Sequence, residues 1–398
     1  MLRGGGENVT RNLFPALAKR GHHVTAAFVA NWRGKYPLRL PEGIEPVPLA
    51  GLWSNNLGQS TLSVLGHYIP QNSRLRKTWH RIQAALEWRA FAWHKRRFRR
   101  RAEDAFGRCW NDFDAVYVHG DPVLASSVSR HRPTVLFLPG PVEAECESML
   151  RGIDAVCAHD DCLDRIRAFL GEHATELSLG LDTGLFSPGT SSIRSRLGWG
   201  DRDRVVGYVG RLTHLKGIDL LAAAFREVAA TIADARLLIV GRGEDERLLR
   251  TVLAREYSQG RVHVEPGVDH DDLPAWYRAM NLVVMPSRYE TKSSAVLEGL
   301  ACGIPFLASN VGGNRSLMDA GGGWLFESES ISSLEETLRH LLEDPATLAV
   351  RGEIGRRYIQ NYNTWTASAE RLEQIFFRVS TALPTTKGAS VPLGTATI

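Results

Sequence analysis

The segment 281–309, around which the rest of the chain is organised, contains two short apolar runs separated by a predicted helix. Leu282 to Met285 form a short continuous apolar run that predicts a buried strand, and Ile304 to Ala308 predict another. Between the two, Ser293 or Ser294 can cap a helix. A strand, a helix and a strand in this order form a βαβ unit, whose usual place is a parallel sheet covered by helices.

Two carboxylates flank the start of this predicted helix. Glu290 lies in the loop after the first strand, and Glu298 lies roughly one turn into the helix. Since a helix rises about 1.5 Å per residue, we expect Glu298 only about 6 Å along the axis from Ser294. Ligands of open α/β sheets bind at the carboxyl edge of the strands, where a helix N-terminus also attracts anions. Both carboxylates are therefore candidate ligand contacts.

The same alternation of strands and helices continues through the second half of the chain. Strands are predicted at 205–209, 236–240, 262–266 and 321–326. Helices are predicted at 220–232, 248–257, 271–280, 332–342, 345–359 and 365–379. The sequence Gly241-Arg242-Gly243 follows a strand but lacks the third glycine of the dinucleotide fingerprint, so we do not interpret it as an NAD site.

The first half shows a weaker version of this plan. A helix is predicted at 8–19, strands at 24–29, 114–119, 134–138, 152–159 and 175–179, and loops throughout 31–72. His119 ends one of these strands at the carboxyl edge. We give a functional and a structural role of His119 equal weight. We place a hinge between the two halves at residues 183–200.

Three glycines, Gly4 to Gly6, precede the first predicted helix. A glycine-rich loop that opens a helix in an α/β unit often cradles phosphate or sugar through its backbone N–H groups. A flexible terminal tail is the alternative interpretation. Such a loop normally follows a strand, but only Met1 to Arg3 precede it here, so either the first strand is absent or the true start lies upstream.

A basic, aromatic segment covers residues 74–108 and is predicted to be helical. It holds twelve Lys and Arg against three acids, together with three tryptophans and three phenylalanines. One interpretation is a surface that binds anionic lipid. The other is a helix with aromatic core contacts and a solvated basic face.

Composition narrows the class of protein. At 398 residues the chain predicts two domains. The net charge of +4 is mild, and no motif supports a nucleic-acid partner. The five cysteines are scattered, which favours a reduced, cytosolic protein over a disulfide scaffold. No apolar run reaches the roughly 18 residues of a membrane span, and no signal-peptide pattern opens the chain.

The strongest candidate chemistry joins Arg211 and Lys216 to the carboxylate pair. Both cations lie on the loop that follows the strand 205–209. A diphosphate leaving group gains negative charge as its bond to carbon breaks, and fixed cations beside a helix N-terminus would stabilise that charge without a metal. Arginine suits a forked contact and lysine a point charge. Taken alone, either cation could instead be an ordinary surface residue that forms an ion pair.

With these residues in place, the chain resembles the family-4 retaining glycosyltransferases, also described as glycosyl transferases group 1. The resemblance covers the chain from Gly4 to about Val379. Its motifs are Gly210-Arg211 with Lys216-Gly217, then Glu290 followed after seven intervening residues by Glu298, which begins EGLACGIP, and finally Val311-Gly312-Gly313 and Leu181-Asp182-Thr183. The family implies an α/β GT-B fold, in which two Rossmann-like doubly wound domains face each other across a cleft and a C-terminal helix crosses back to the N-terminal domain.

The resemblance also implies roles for single residues. Arg211 and Lys216, with Gly210, would hold the donor diphosphate, Glu298 the ribose and Glu290 the donor sugar. Gly5 and Gly6 would approach the diphosphate and sugar, and His119 would lie near the reacting sugar. We count Glu290, His119, Arg211 and Lys216 as catalytic. The donor-contacting loop is completed by Lys292, Ser293 and Ser294.

The chain departs from the family pattern in that loop. Glycine-rich residues usually follow the first glutamate, but Thr291, Lys292, Ser293 and Ser294 stand here. Backbone N–H groups can still reach sugar hydroxyls, and Lys292 suggests an acidic sugar or an acceptor phosphate, against the alternative of a solvated lysine. DxD spacings occur at Asp112, Asp201 and Asp269, yet their positions do not favour a required metal.

These observations predict a retaining glycosyltransferase that moves a sugar from a UDP- or GDP-sugar to an acceptor hydroxyl, with no further cofactor. The expected acceptor is a glycan or lipid-linked molecule of cell-surface polysaccharide, lipopolysaccharide or glycolipid synthesis, handled in the cytoplasm or on the inner face of the membrane. The alternatives are a non-catalytic nucleotide-sugar-binding relative and a GT-B glycoside phosphorylase. The predicted units are an acceptor domain at 1–190, a donor domain at 191–364, a crossover helix at 365–380 and a disordered tail at 381–398.

Overall fold

Parallel β-sheets form the framework of both halves of the chain. A computed structural model describes residues 9–30, 44–50, 96, 99–107, 109–140, 147–178 and 180–381. Gly5, Gly6 and most of the basic segment 74–108 lie outside the described residues, as does the tail beyond residue 381. Within the described residues every strand pairing is parallel, as the sequence predicts for repeated βαβ units.

The N-terminal half contains a two-stranded and a four-stranded sheet. The strands are Val24–Ala30 (β1), Ile44–Ala50 (β2), Val116–His119 (β3), Thr134–Leu138 (β4), Ala155–Ala158 (β5) and Ala174–Glu176 (β6). The helices are Phe14–Lys19 (α1), Pro122–Val128 (α2), Glu147–Leu150 (α3) and Asp160–Leu170 (α4). A single π-helical turn, Val9–Leu13, precedes α1 where one continuous helix was predicted.

The strand β2 corrects the prediction of loops throughout 31–72. It pairs in parallel with β1, and Val24 lies opposite Ile44. Pro46 and Pro48 hid this strand from the sequence analysis, because proline cannot donate to a sheet and argues against a central strand. Among the strands that the structure describes, only β1 borders β2, and an edge strand tolerates proline.

The C-terminal half contains a six-stranded sheet of order β12-β11-β10-β7-β8-β9. Its strands are Arg204–Val209 (β7), Ala235–Val240 (β8), Val262–Glu265 (β9), Leu282–Met285 (β10), Phe306–Ser309 (β11) and Gly323–Phe326 (β12). The first helices are Ile193–Arg196 (α5), Ile218–Thr231 (α6), Glu246–Val252 (α7), Ala254–Ser258 (α8) and Leu273–Tyr277 (α9). They are followed by Ser294–Ala301 (α10), Ile331–Glu343 (α11), Pro345–Tyr362 (α12) and Trp365–Thr381 (α13).

The predicted βαβ unit is present as β10, α10 and β11. Every residue of β10 and β11 is buried, as expected for strands in the middle of a parallel sheet. Ser293 is the N-cap of α10, and its hydroxyl accepts a hydrogen bond from the Val296 N–H at 3.4 Å. The single helix predicted at 248–257 is instead divided into α7 and α8.

The last helix, α13, belongs to the hydrophobic core of the N-terminal half. Its apolar residues Leu372 and Ile375 share a buried cluster with Leu13, Val135 and residues of β5. The chain enters this helix beside the other crossing between the halves, where the Leu181 N–H donates to the Asn363 carbonyl at 2.8 Å. The C-terminal chain therefore returns to the N-terminal half, as predicted.

No helix among the described residues is long and apolar enough to cross a membrane. Residues 99–106, the described end of the basic segment, are helical and contribute Ala102 and Phe106 to a second N-terminal core cluster. Arg99 pairs with Asp121 at 2.8 Å. At least this end of the segment therefore packs against the fold.

Candidate functional site

Two loops meet at the carboxyl edge of the six-stranded sheet, one after β7 and one after β10. The Lys216 ammonium donates to Glu290 Oε2 at 2.6 Å, and the Ser287 hydroxyl donates to the same oxygen at 3.3 Å. Glu290 is buried and Lys216 is mostly buried. An ion pair removed from water in this way holds both loops in one geometry, since separating its partners would leave a charge unpaired inside the protein.

Arg211 lies on the same loop but differs from Lys216 in exposure. Its side chain is exposed, and within the described residues no carboxylate forms a salt bridge with it. The buried Tyr208 hydroxyl donates to the Arg211 carbonyl at 2.7 Å, which fixes the backbone of the loop. Burial, with the nearby charge of Glu290, raises the pKa of Tyr208. The guanidinium of Arg211 is thus a positive charge available to a ligand.

Glycines allow these loops to approach closely. Gly217 adopts a left-handed backbone with φ of 65°, and a Cβ there would lie 1.9 Å from the Pro286 carbonyl oxygen. A Cβ on Gly243 would lie 2.0 Å from the Leu212 carbonyl oxygen. The GxG sequence that was rejected as a dinucleotide site therefore brings the loop after β8 against the loop that carries Arg211.

A second ion pair reinforces the contact between the loops, and the sequence analysis missed it. Arg288 forms a forked pair with Asp219, with both N–O distances 2.8 Å, and its backbone N–H donates to the Leu215 carbonyl at 2.9 Å. Burial alone would raise the pKa of Asp219, but the hydrogen bonds and charge of Arg288 outweigh it and lower the pKa. Positions 69 apart in sequence show no pattern that would reveal this pair.

Glu298 is held on α10 by partners from α9 and the turn before it. The buried Tyr277 hydroxyl donates to Glu298 Oε2 at 2.7 Å, and His270 Nε2 lies 3.5 Å from Oε1. Burial, together with the charge of Glu298 and this hydrogen bond, raises the pKa of Tyr277 well above its ordinary value. Glu298 is 7% exposed, so its carboxylate is fixed at this edge of the sheet.

The loop between Glu290 and α10 is fixed at both ends. The Gly313 N–H donates to the Glu290 carbonyl at 2.9 Å, and a Cβ on Gly313 would lie 1.6 Å from the Thr291 carbonyl oxygen. The Lys292 ammonium donates to the Ser178 hydroxyl, which belongs to the N-terminal half. This lysine, predicted to contact a ligand, therefore links the loop to the other domain.

The carboxyl edge of the N-terminal sheet carries aromatic and imidazole rings in place of charges. His119 stacks on Phe137 with ring centroids 5.2 Å apart, and His159 meets Phe137 edge-on at 5.0 Å. Burial lowers the pKa of His119 to about 4. Burial, followed by the charges of Lys292 and His119, lowers the pKa of His159 to about 3. Both rings are therefore neutral at physiological pH.

His159 was not predicted as a functional residue, although its strand was. It is buried, and its Nδ1 has no hydrogen-bond partner among the described residues. The corresponding atom of His119, by contrast, has a partner, because the Tyr117 hydroxyl lies 3.1 Å from His119 Nδ1. Neither the spacing of His159 nor its neighbours Asp160 and Asp161 distinguish it from an ordinary helix start.

The remaining predicted residues have the following positions. Gly210 follows β7, Ser293 is buried as the cap of α10, and Ser294 is exposed at its first turn. Gly5 and Gly6 lie outside the described residues. The residues that the structure describes contain no group of three or more His, Cys, Asp or Glu side chains arranged to hold a metal ion.

Comparison with known proteins relates the chain to a single family. The family model described as glycosyl transferases group 1 matches residues 190–358. A D-inositol 3-phosphate glycosyltransferase of Catenulispora acidiphila is 30% identical over 306 residues, which cover 68% of this chain and 73% of that protein. A GDP-mannose-dependent monoacylated α-(1-6)-phosphatidylinositol monomannoside mannosyltransferase of Corynebacterium glutamicum is 33% identical over 226 residues. That match covers 54% of this chain and 59% of the relative's length.

Solved structures share the fold across nearly the whole chain. Sucrose-phosphate synthase from Thermosynechococcus elongatus superimposes with a TM-score of 0.66 at 20% identity, over 93% of this chain and 92% of that one. At this identity the likeness is one of fold alone. It shows the two-domain, Rossmann-like GT-B architecture that the sequence predicts.

Proposed function

The chain belongs to the glycosyl transferases group 1 family, and from that membership we propose that it transfers a sugar from a nucleotide diphosphate sugar to an acceptor hydroxyl. The observation that carries this proposal is the joining of two loops at one sheet edge by Lys216 and Glu290, 2.6 Å apart. Arg211 lies on one of these loops and Glu298 on the helix that follows the other. We assign the enzyme to the retaining family-4 transferases.

The charged edge of the C-terminal sheet would bind the donor. We propose that Arg211 and Lys216 hold the diphosphate and stabilise the charge that develops on it as the glycosidic bond breaks. Glu298, fixed by Tyr277, would accept hydrogen bonds from the ribose hydroxyls, and Glu290 would orient the sugar. No metal or other cofactor is required in this proposal, because the two cations and the N-terminus of α10 supply the positive potential.

The neutral edge of the N-terminal sheet would face the acceptor. His119 lies there with its pKa lowered to about 4 by burial, so it is uncharged and can exchange hydrogen bonds with sugar hydroxyls. We propose that the departing phosphate takes the acceptor proton, since no side chain in this arrangement is a clear nucleophile. Closure of the cleft would exclude water that otherwise hydrolyses the donor.

The two curated relatives suggest which donors and acceptors to test first. One is named for GDP-mannose and a phosphatidylinositol mannoside, and the other for inositol 3-phosphate. We propose a GDP- or UDP-sugar as donor and a glycan or lipid-linked acceptor of surface glycan or glycolipid synthesis. An enzyme that glycosylates such acceptors would act in the cytoplasm at the inner face of the membrane. The basic segment 74–108 would then contact anionic lipid.

A panel of nucleotides and nucleotide sugars, measured by thermal shift and by donor hydrolysis, tests the proposal. We expect at least one UDP- or GDP-sugar to raise the melting temperature, since a ligand that binds only the folded state stabilises it. The matched pair of variants is Arg211→Ala and Arg226→Ala, because Arg226 is also exposed but lies on α6 away from the site. Only Arg211→Ala should reduce the shift.

Two outcomes would count against this function. If no member of the panel shifts the melting temperature of the wild-type protein, the donor site is wrong. If a nucleotide sugar binds but Arg211→Ala binds it equally well, the diphosphate lies elsewhere.

A further inference from the structure

A cavity of about 460 Å³ lies between the two domains, beside the donor loop but outside the charged set. Its walls come from the end of β6, from α10 and the turn before β12, and from α12 and α13. Lys292 and Ser178 line it, whereas Arg211, Lys216, Glu290 and Glu298 do not. The volume falls within the range of about 300–1,000 Å³ that is usual for small-molecule sites.

The charges on the cavity wall balance. Glu176 and Asp319 contribute carboxylates, and Lys292 and Arg371 contribute cations. Glu176, Asp319 and Arg371 are exposed, and none of them forms a salt bridge within the described residues. A strongly charged ligand of either sign would meet two like charges as well as two opposite ones. The wall therefore favours a neutral ligand that exchanges hydrogen bonds with both signs.

The uncharged part of the wall combines hydroxyls, amides and aromatic rings. Asn361 contributes an exposed amide, whereas Asn363 and Ser368 lie buried behind it and bind Ser178. Tyr358 and Tyr362 form a tilted pair with ring centroids 5.0 Å apart, and Tyr362 is 64% exposed. Exposed aromatic faces beside dense donors and acceptors suit a molecule that has C–H faces and many hydroxyls, because a purely apolar ligand would leave the polar groups unpaired.

We propose that this interdomain cavity is a second binding site, distinct from the donor site, and that it takes a neutral oligosaccharide. The saccharide rings pack on Tyr362. Their hydroxyls bind the Asn361 amide and the Glu176 and Asp319 carboxylates. Because the walls come from both domains and from the crossover helix, the saccharide binds only when the two domains are held together.

The site is connected to the donor loop through one hydrogen bond. Lys292, in the loop after Glu290, donates to Ser178, whose hydroxyl also lies 3.3 Å from the Asn363 side-chain nitrogen and whose carbonyl accepts from Ser368 at 2.7 Å. Both chain crossings and the donor loop therefore meet at Ser178. A saccharide bound against this junction stabilises the position of Lys292, so that saccharide and nucleotide each raise the affinity for the other.

Titration calorimetry on the full-length protein with maltotriose and α-mannotriose tests the site without any sugar transfer. We expect at least one of these to bind with a Kd of about 1 mM or tighter. Tyr362→Ala and Asn361→Ala should each weaken binding about fivefold, the loss expected for one contact. Phe377→Ala is the matched control, since Phe377 is 62% exposed on α13 but does not line the cavity.

The same titration separates this site from the reaction cleft. Saccharide binding should survive in Lys216→Ala and His119→Gln. The coupling rests on the function proposed above: UDP or GDP, whichever raises the melting temperature in the nucleotide panel, should strengthen saccharide binding about fivefold through Lys292. Absence of binding by both trisaccharides overturns the proposal. So does binding that is lost in His119→Gln and retained in Tyr362→Ala, because the saccharide would then occupy the acceptor position. Lys292→Met should abolish the coupling while leaving saccharide binding measurable.

Discussion

The carboxyl edges of the two sheets face the same cleft, but one carries charged side chains and the other carries neutral rings. The C-terminal edge carries Lys216, Glu290 and Glu298, each held by a charged or hydroxyl partner. The N-terminal edge carries His119, Phe137 and His159, whose rings touch and whose imidazoles are neutral. In the function proposed above, the charged edge would bind the diphosphate and the neutral edge the acceptor.

This division has a physical reason. A departing diphosphate needs positive charge that is fixed before the reaction, and ion pairs between loops provide that fixation. An acceptor hydroxyl needs an environment that does not compete for the charge, and the neutral imidazoles of His119 and His159 meet that need. Each edge can therefore be tested by a change that gives it the property of the other.

Removing the positive charge from the C-terminal edge should have the largest effect. Lys216→Ala deletes one of the two proposed diphosphate contacts and leaves Glu290 buried beside Ser287 without its cation. We expect kcat/KM to fall by about 10²–10³, the usual loss for one charge-stabilising group. Steady-state kinetics against Arg226→Ala as the control measure it. A fall of less than about threefold would contradict the assignment of Lys216 to the leaving group.

Forcing the loops of the same edge apart should have the next largest effect. Gly217→Ala places a Cβ 1.9 Å from the Pro286 oxygen at a φ of 65°. We expect a loss of at least about 3 kcal/mol in the free energy of unfolding, together with reduced activity, because Lys216 moves from Glu290. Denaturant titration and kinetics provide the measurements.

Gly260→Ala is the matched control for this change. Its φ of 67° is nearly the same, but nothing lies within 4 Å of the added Cβ. The control should therefore cost only the left-handed strain of about 1–2 kcal/mol. Equal losses in the two variants would show that the contact between the loops contributes nothing.

Charging the N-terminal edge should have a pH-dependent effect that is smaller for each histidine than the effect of Gly217→Ala. In the folded protein the pKa of His119 is lowered to about 4 and that of His159 to about 3, against about 6.5 when unfolded. The unfolded chain therefore binds more protons between these values, and stability falls as pH drops below about 6.5. From pH 7 to pH 5 each histidine should cost about 2 kcal/mol.

Urea unfolding at pH 7 and pH 5 checks this expectation. His159→Gln should reduce the loss between the two pH values, whereas His131→Gln, a change at an exposed histidine, is the control. If His159→Gln and the wild type lose the same stability, the buried imidazole is not the titrating group. The conclusion that burial keeps the imidazoles of the N-terminal edge neutral would then be wrong.

The two edges also differ in how many of their side chains could be predicted from the sequence. Lys216 and Glu290 were predicted because they lie in short loops directly after apolar runs, and Glu298 because it lies near the start of the helix that follows one of these loops. Strand topology alone brings such positions to one edge. Arg288 with Asp219, and Tyr277 with Glu298, were missed because side-chain pairing across 69 and 21 positions leaves no periodic pattern. The sequence located loops but not the partners that hold them.

The N-terminal half was harder for related reasons. The strand β2 was missed because Pro46 and Pro48 contradict its local pattern, and only its place at a sheet edge permits them. His159 was passed over because burial, which lowers its pKa, depends on Phe137 from another strand. In both cases a tertiary neighbour overrides the local preference.

The smallest predicted effect concerns the support of Glu298. Tyr277→Phe removes only the hydroxyl that donates to Glu298 at 2.7 Å, and it leaves His270 at 3.5 Å from the other oxygen. We expect about 1 kcal/mol less stability and about fivefold weaker nucleoside diphosphate binding, since one buried hydrogen bond is lost. Tyr257→Phe is the control, because the Tyr257 hydroxyl is buried without a partner among the described residues and its removal should cost nothing. If Tyr277→Phe weakened folding but not nucleotide binding, Glu298 would be a structural carboxylate, and the donor edge would rest on Lys216, Arg211 and Glu290 alone.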